Sequence, residues 1–320
     1  MSPDRSVDVH THLAPLLGDS AGALAGVEES SGRYVVDGEQ IGVPALYEAP
    51  RLADWLTAAE IDSAWVSLPP PFFRQGLQED GARTWVERAN DGLLARIAGV
   101  ERLEALAYLP FEHPRVALAE LDRLIDDERI VGWNISAGGG SPPLDDVRLT
   151  PVWDRLEAVG RPVLLHPGSS SDARLDRHYL SNLVGNPVET TVAAAELVFG
   201  DVLGTHPNLR LVLVHCGGAV PMLAGRWQRG MDTERPGVGP LTLEPSVAVR
   251  RFWVDALAHD PRVVDLALAV IGVDKVVLGS DWPFPMGLDN PWSAVAHLPP
   301  QQRDRIGRSN VACLRGVRHE

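Results

Sequence analysis

Five side chains at the ends of four short apolar runs could carry chemistry in this chain: His10, His12, His166, His215 and Asp281. The first two lie in Val7-Asp8-Val9-His10-Thr11-His12. Residues i and i+2 of a strand face the same side, so both imidazoles can address one ion. Val163-Leu164-Leu165-His166, Leu211-Val212-Leu213-Val214-His215 and Val276-Val277-Leu278-Gly279-Ser280-Asp281 end in the same way. Neutral imidazoles and a carboxylate suit a borderline divalent cation, zinc first and manganese as the alternative, and a catalytic site keeps one position open. His10, His12, His166 and Asp281 would supply that set. His215 would then be free as an acid or base, because an imidazole titrates near neutral pH.

Such residues need strands to aim them. Eight short β-branched or apolar runs read as strands: Val7–His10, Ala64–Leu68, Ala105–Leu109, Val131–Ile135, Val163–His166, Leu211–His215, Phe252–Asp255 and Val276–Gly279. Between them fall stretches of helical spacing, such as 51–60 and 114–127, the second with Val116, Leu118, Leu121, Leu124 and Ile125 on one stripe. Pro261 opens a third, where its missing N–H costs nothing. Alternating strands and helices predict parallel βαβ units. Eight of them predict a single α/β domain over residues 1–320, a (β/α)₈ TIM barrel with its polar groups at the C-terminal face of the strands. Residues 15–49 break the rhythm. The Asp37-Gly38 turn signal predicts a small β-ribbon there, inserted after strand one and lying over the barrel mouth.

Composition narrows the function. The net charge of −14 argues against nucleic acid and anionic membrane as partners. No apolar run approaches membrane-spanning length, and two cysteines, Cys216 and Cys313, make no disulfide framework, so a cytoplasmic location is expected. Cys216 reads as a small buried residue, and His178 and His259 as surface residues in loops. Lys275 is the only lysine, and it precedes strand eight, at the wrong end of a barrel for Schiff-base chemistry.

His10-Thr11-His12, Leu165-His166-Pro167-Gly168, His215-Cys216-Gly217-Gly218 and Gly279-Ser280-Asp281-Trp282-Pro283-Phe284-Pro285 resemble the metal-dependent amidohydrolase superfamily. The likeness is to its branch of 2-amino-3-carboxymuconate-6-semialdehyde and resorcylate-type decarboxylases, and it runs over nearly the whole chain. The resemblance implies a (β/α)₈ barrel, one divalent ion on His10, His12, His166 and Asp281, and His215 as the catalytic acid/base. Binuclear members of the superfamily bridge two metals through a lysine at strand four; here Gly132-Trp133-Asn134-Ile135-Ser136 has none. The resemblance also implies that Arg51 and Arg226 bind substrate carboxylate, Arg226 reaching across a homodimer interface. A guanidinium fork suits that task. Trp282 and Phe284 would wall the pocket against a flat substrate.

Two reactions fit these residues. One is non-oxidative decarboxylation of a small aromatic or unsaturated carboxylic acid, with His215 as proton donor. The other is hydrolysis of a lactone, cyclic amide or ester, with Asp281 taking a proton from water and His215 stabilising the oxyanion. The resemblance and Arg226 favour decarboxylation.

Overall fold

A computed structural model describes residues 5–18, 26–30, 32–168, 170 and 172–316. Eight parallel strands form one sheet in the order β1 (Val7–His12), β5 (Ser63–Ser67), β6 (Leu103–Tyr108), β7 (Ile130–Ala137), β8 (Val163–Pro167), β9 (Leu211–Leu213), β10 (Trp253–Asp255) and β11 (Val276–Val277). The sheet closes through a bridge between Asp8 and Leu278, with Val9 N donating to Leu278 O at 3.0 Å. This is the (β/α)₈ barrel expected from the alternation of strands and helices. Helices surround it, among them Ala49–Ala58, Glu79–Ile97, Pro114–Leu124, Thr150–Val159, Asn186–Phe199, Val220–Asp232 and Pro261–Val270.

The pleat divides the apolar residues into two clusters. Ala64, Val66, Ala105, Ala107, Ile135 and Leu165 pack outward against helix residues such as Leu52, Leu93 and Val116. Trp65, Leu106, Leu164, Val212 and Val277 fill the inside, closed from below by Val311 and Leu314 of the last helix. On β1 this inner cluster takes Val7 and Val9, which are out of phase with His10 and His12. A bulge between Asp8 and Thr11, in the pairing with β5, resolves the conflict. The extra residue resets the alternation, so the same strand contributes valines to the inner core and then two histidines to the site above it.

Three further strands, β2 (Val27–Ser30), β3 (Arg33–Val36) and β4 (Glu39–Gln40), make an antiparallel ribbon between β1 and the helix Ala49–Ala58. Asp37 and Gly38 turn it, both at positive φ. The ribbon has one strand more than a hairpin, and residues 19–25 and 31 of the stretch expected to be an insertion lie outside the described residues. It packs on the loop after β5: the Tyr34 ring lies 5.7 Å from Phe72, and Asp37 pairs with Arg74.

One half-buried acid makes stability pH-dependent. Burial pushes the Glu112 carboxyl up to about 7, and its Oε2 has no hydrogen-bond partner. The folded state therefore holds this proton more tightly than the unfolded chain. Its stabilising contribution is complete below pH 4.5 and is lost as pH rises through about 7. Glu112→Gln is expected to raise unfolding stability at pH 8 by roughly 1–3 kcal/mol and to leave it unchanged at pH 4.5 or below. Denaturant melts at the two pH values check this; equal effects at both would remove the titration argument.

Candidate active site

His10, His12, His166 and Asp281 converge at the C-terminal end of the barrel. One ligand atom from each lies within 4.8 Å of all the others, and all four residues are buried. Each histidine is held through Nδ1. His10 Nδ1 donates to Asp255 Oδ2 at 2.8 Å, and His166 Nδ1 to the Pro167 carbonyl at 2.8 Å. His12 Nδ1 lies 3.1 Å from Ser67 Oγ and 3.3 Å from the Leu68 carbonyl. These contacts place the proton on Nδ1 and leave the Nε2 lone pair of each ring pointing into the cluster. All three Nε2 atoms are buried without a hydrogen-bond partner. Unpartnered buried nitrogens are costly, and a cation is the group that satisfies three of them and a carboxylate together. The residues therefore form a divalent metal site.

The electrostatics of His12, His166 and Asp281 agree with ligation. Burial pushes His12 down and His166 well below the ordinary imidazole value, so both are neutral at pH 7. Burial opposes charge on His10 too, but its hydrogen bond to Asp255 and the nearby carboxylates outweigh it and hold it above that value. Burial alone would raise Asp281; His12 beside it at 3.2 Å and His215 keep it ionised, well below the usual carboxylate range.

His215 stands next to this set and outside it. Its Nε2 is 3.8 Å from Asp281 Oδ2, and its Nδ1 has no partner. The sequence places it at the end of a strand; in the structure β9 stops at Leu213 and His215 sits in a tight turn. His215, Cys216, Gly217 and Gly218 all have positive φ. A Cβ on Gly218 would lie 2.5 Å from the Pro187 carbonyl oxygen, so that position requires glycine. Cys216 is buried, and burial pushes its thiol up, so it is inert as a nucleophile.

Asp255 ties the two parts together, and sequence reasoning missed it. Its Oδ2 accepts from His10 Nδ1 and from the His215 amide at 3.1 Å; its Oδ1 accepts from the amides of Cys216 at 2.8 Å and Leu257 at 3.1 Å. The signal was there in part: Asp255 ends β10 as His166 nears the end of β8. Room for its carboxylate comes from Gly279, where a Cβ would meet Asp255 Cβ at 2.7 Å and His10 Cβ at 3.0 Å.

A cavity of about 310 Å³ opens above His166, His215 and Asp281, walled by Pro70, Pro71, Tyr179, Phe284 and Met286. The Phe284 ring is 5.4 Å from that of His12. A second lobe of about 410 Å³ adjoins it, sharing Asn182, Asn186, His215, Asp281 and Met286. His259 is exposed, as the sequence reading has it, and stands at the edge of that lobe. A larger concavity, about 720 Å³, lies at the opposite end of the barrel around Trp253 and Lys275 and contains none of these groups. The remaining candidates lie off the cavity. Trp282 is buried, with its ring 6.2 Å from Trp55. Arg51 is exposed and 3.5 Å from Glu48. Arg226 is exposed on the helix Val220–Asp232.

A parallel eight-stranded barrel carrying a three-histidine, one-aspartate cluster at its C-terminal rim defines a metal-dependent barrel enzyme. The chain belongs to the Amidohydrolase family, whose pattern matches residues 7–312. It is 30% identical over 236 residues to the 2-amino-3-carboxymuconate-6-semialdehyde decarboxylase of Dictyostelium discoideum, covering 72% of this chain and 66% of that protein. It is 27% identical over 338 residues to the gamma-resorcylate decarboxylase of Rhodococcus jostii, covering 97% of each. A dihydroxybenzoic acid decarboxylase from Polaromonas, solved with manganese and 2-nitroresorcinol, has the same fold, with a TM-score of 0.80 at 22% identity over 99% of this chain and 98% of that one.

Proposed function

We propose that this protein is a metal-dependent non-oxidative decarboxylase of a small aromatic or unsaturated carboxylic acid. The observation that carries the reading is His215, an imidazole 3.8 Å from Asp281 that stands beside a complete metal-ligand set on the wall of a small-molecule cavity. The decarboxylases among its relatives support it. A bound divalent ion would supply Lewis-acid stabilisation of negative charge on the substrate. His215 gives its proton to the carbon that loses CO₂: the C–C bond breaks, its electron pair stays on that carbon, and the new C–H bond takes it up. Phe284 and Pro70 hold a flat substrate over the ligands. Three imidazoles and a carboxylate suit zinc and manganese; zinc is our assignment, with the Polaromonas enzyme's manganese as the alternative. The test is metal analysis together with CO₂ release from salicylate, 2,6-dihydroxybenzoate and muconate-type acids. Activity is expected to vanish on chelation and return with the metal. Ring opening of a lactone without CO₂ release would assign a hydrolase instead.

The proposed enzyme is a homodimer. Among the described residues, no arginine or lysine lines either lobe of the site. Arg226 lies one helical turn beyond Met222, which is exposed, and exposed Leu183, Val184, Val188 and Val192 lie on the segment packed beside that helix. A second copy covering this apolar face would bring its Arg226 to the cavity, where it would pair with substrate carboxylate; Arg51 is assigned the same task. Mixing Arg226→Ala with His215→Ala subunits is expected to restore partial activity that neither homodimer has, read as CO₂ release. Inactive mixtures of proven heterodimers would reject the shared site. No helix among the described residues is long and apolar enough to cross a membrane. With the two cysteines free, we place the protein in the cytoplasm.

A further inference from the structure

The geometry points to a substrate that carries an apolar substituent on the ring position next to the carbon that loses CO₂, seated in the second lobe; this deepens the decarboxylase reading and rests on it. The two lobes share Asn182, Asn186, Met286 and, at the metal-ligand end, His215 and Asp281, the groups that face the reacting carbon. A branch leaving the site at that point must leave the substrate close to the same carbon, which on an aromatic acid is the ortho position. A substituent on the far side of the ring would run along the first lobe instead. The lining sets the chemistry of the branch. Leu183, Pro187, Leu257, Ala258, Val263 and Met286 make the second lobe mostly apolar. Its one carboxylate besides Asp281, Asp260, already accepts from the Arg262 amide and guanidinium, and exposed His259 stands at the lobe's edge. At about 410 Å³ the lobe exceeds the first, so the branch can be longer than a methyl group.

The test uses salicylate and its 6-methyl, 6-propyl and 6-pentyl derivatives with the metal-loaded enzyme. Binding is followed by calorimetry and turnover by CO₂ release. Affinity is expected to rise about threefold to fourfold per methylene until the lobe is full, the factor that burial of one CH₂ gives. Val263→Trp, which fills the lobe from the partly exposed start of a helix, is expected to cut the ratio of 6-pentyl to unsubstituted affinity at least tenfold. Affinity that is flat or falling with chain length overturns the assignment. So does a Val263→Trp variant that weakens every acid equally, as it would if the lobe belongs to the subunit interface. Chain-length-dependent binding with no CO₂ from any acid sinks the decarboxylase reading and leaves the lobe assignment standing. CO₂ from salicylate with no length dependence does the reverse.

Discussion

Replacing His215 with asparagine is expected to lower kcat by about 10²–10⁴-fold while leaving metal content unchanged. The choice of asparagine follows from the backbone. His215 has a φ of 55°, a region that asparagine enters more readily than most residues, so the turn survives the change. The His215 ring is not among the four ligands, so the ion keeps its full set. What disappears is the imidazole on the cavity wall that ligates no metal, and with it the proton for the carbon that loses CO₂. Single-turnover CO₂ release on metal-replete protein measures the loss. A variant within tenfold of the parent would take His215 out of the chemistry and pass the proton to another group.

Asp255→Asn is expected to damage both halves of the site at once. Its carboxylate accepts four hydrogen bonds, two on each oxygen. An amide has one acceptor oxygen, so either orientation turns an NH₂ toward two N–H donors. With Oδ2 replaced, the losers are His10 Nδ1 and the His215 amide; with Oδ1 replaced, they are the amides of Cys216 and Leu257. Metal affinity is expected to fall about 10–100-fold, the usual effect of removing a group that orients a ligating histidine. Stability should drop by about 2 kcal/mol or more, because buried donors are left facing donors. Competitive metal titration and urea melts give the two numbers. The contrast is the diagnostic: His215→Asn keeps the metal and loses the proton transfer, whereas Asp255→Asn weakens both. Metal binding at the parental level in the Asp255 variant would show that His10 needs no such support.

The barrel was legible because parallel strands buried on both faces read as continuous apolar runs, and here several of them ended in metal-binding side chains. His10 and His12 could be paired from a period of two alone. The bulge beneath them could not, because it exists only in the register between β1 and β5. Asp255 escaped for a related reason: three of its partners come from residues 10, 215 and 216, far from it along the chain. The overshoot of strand six to His215 was avoidable, since Gly217 and Gly218 mark a turn at positive φ. Asn182 and Asn186 carry no periodic or chemical signature; only the folded chain brings them beside His215. Arg51 and Arg226 have the right chemistry in the sequence, but a single chain leaves them away from the cavity.

The seam of the barrel has a consequence of its own. Where β11 meets β1, Asp281 N donates to His10 O at 2.8 Å, His12 N to Trp282 O at 2.8 Å, and Asp8 Oδ1 accepts from the amides of His10 and Ser280. Two of the four ligands come from the first strand and one from just past the last. A cation seated there would act as a clasp between the first strand of the barrel and the turn after its last. The seam's own hydrogen bonds close the ring, and the same contacts bring the ligands of its two ends into reach of one ion.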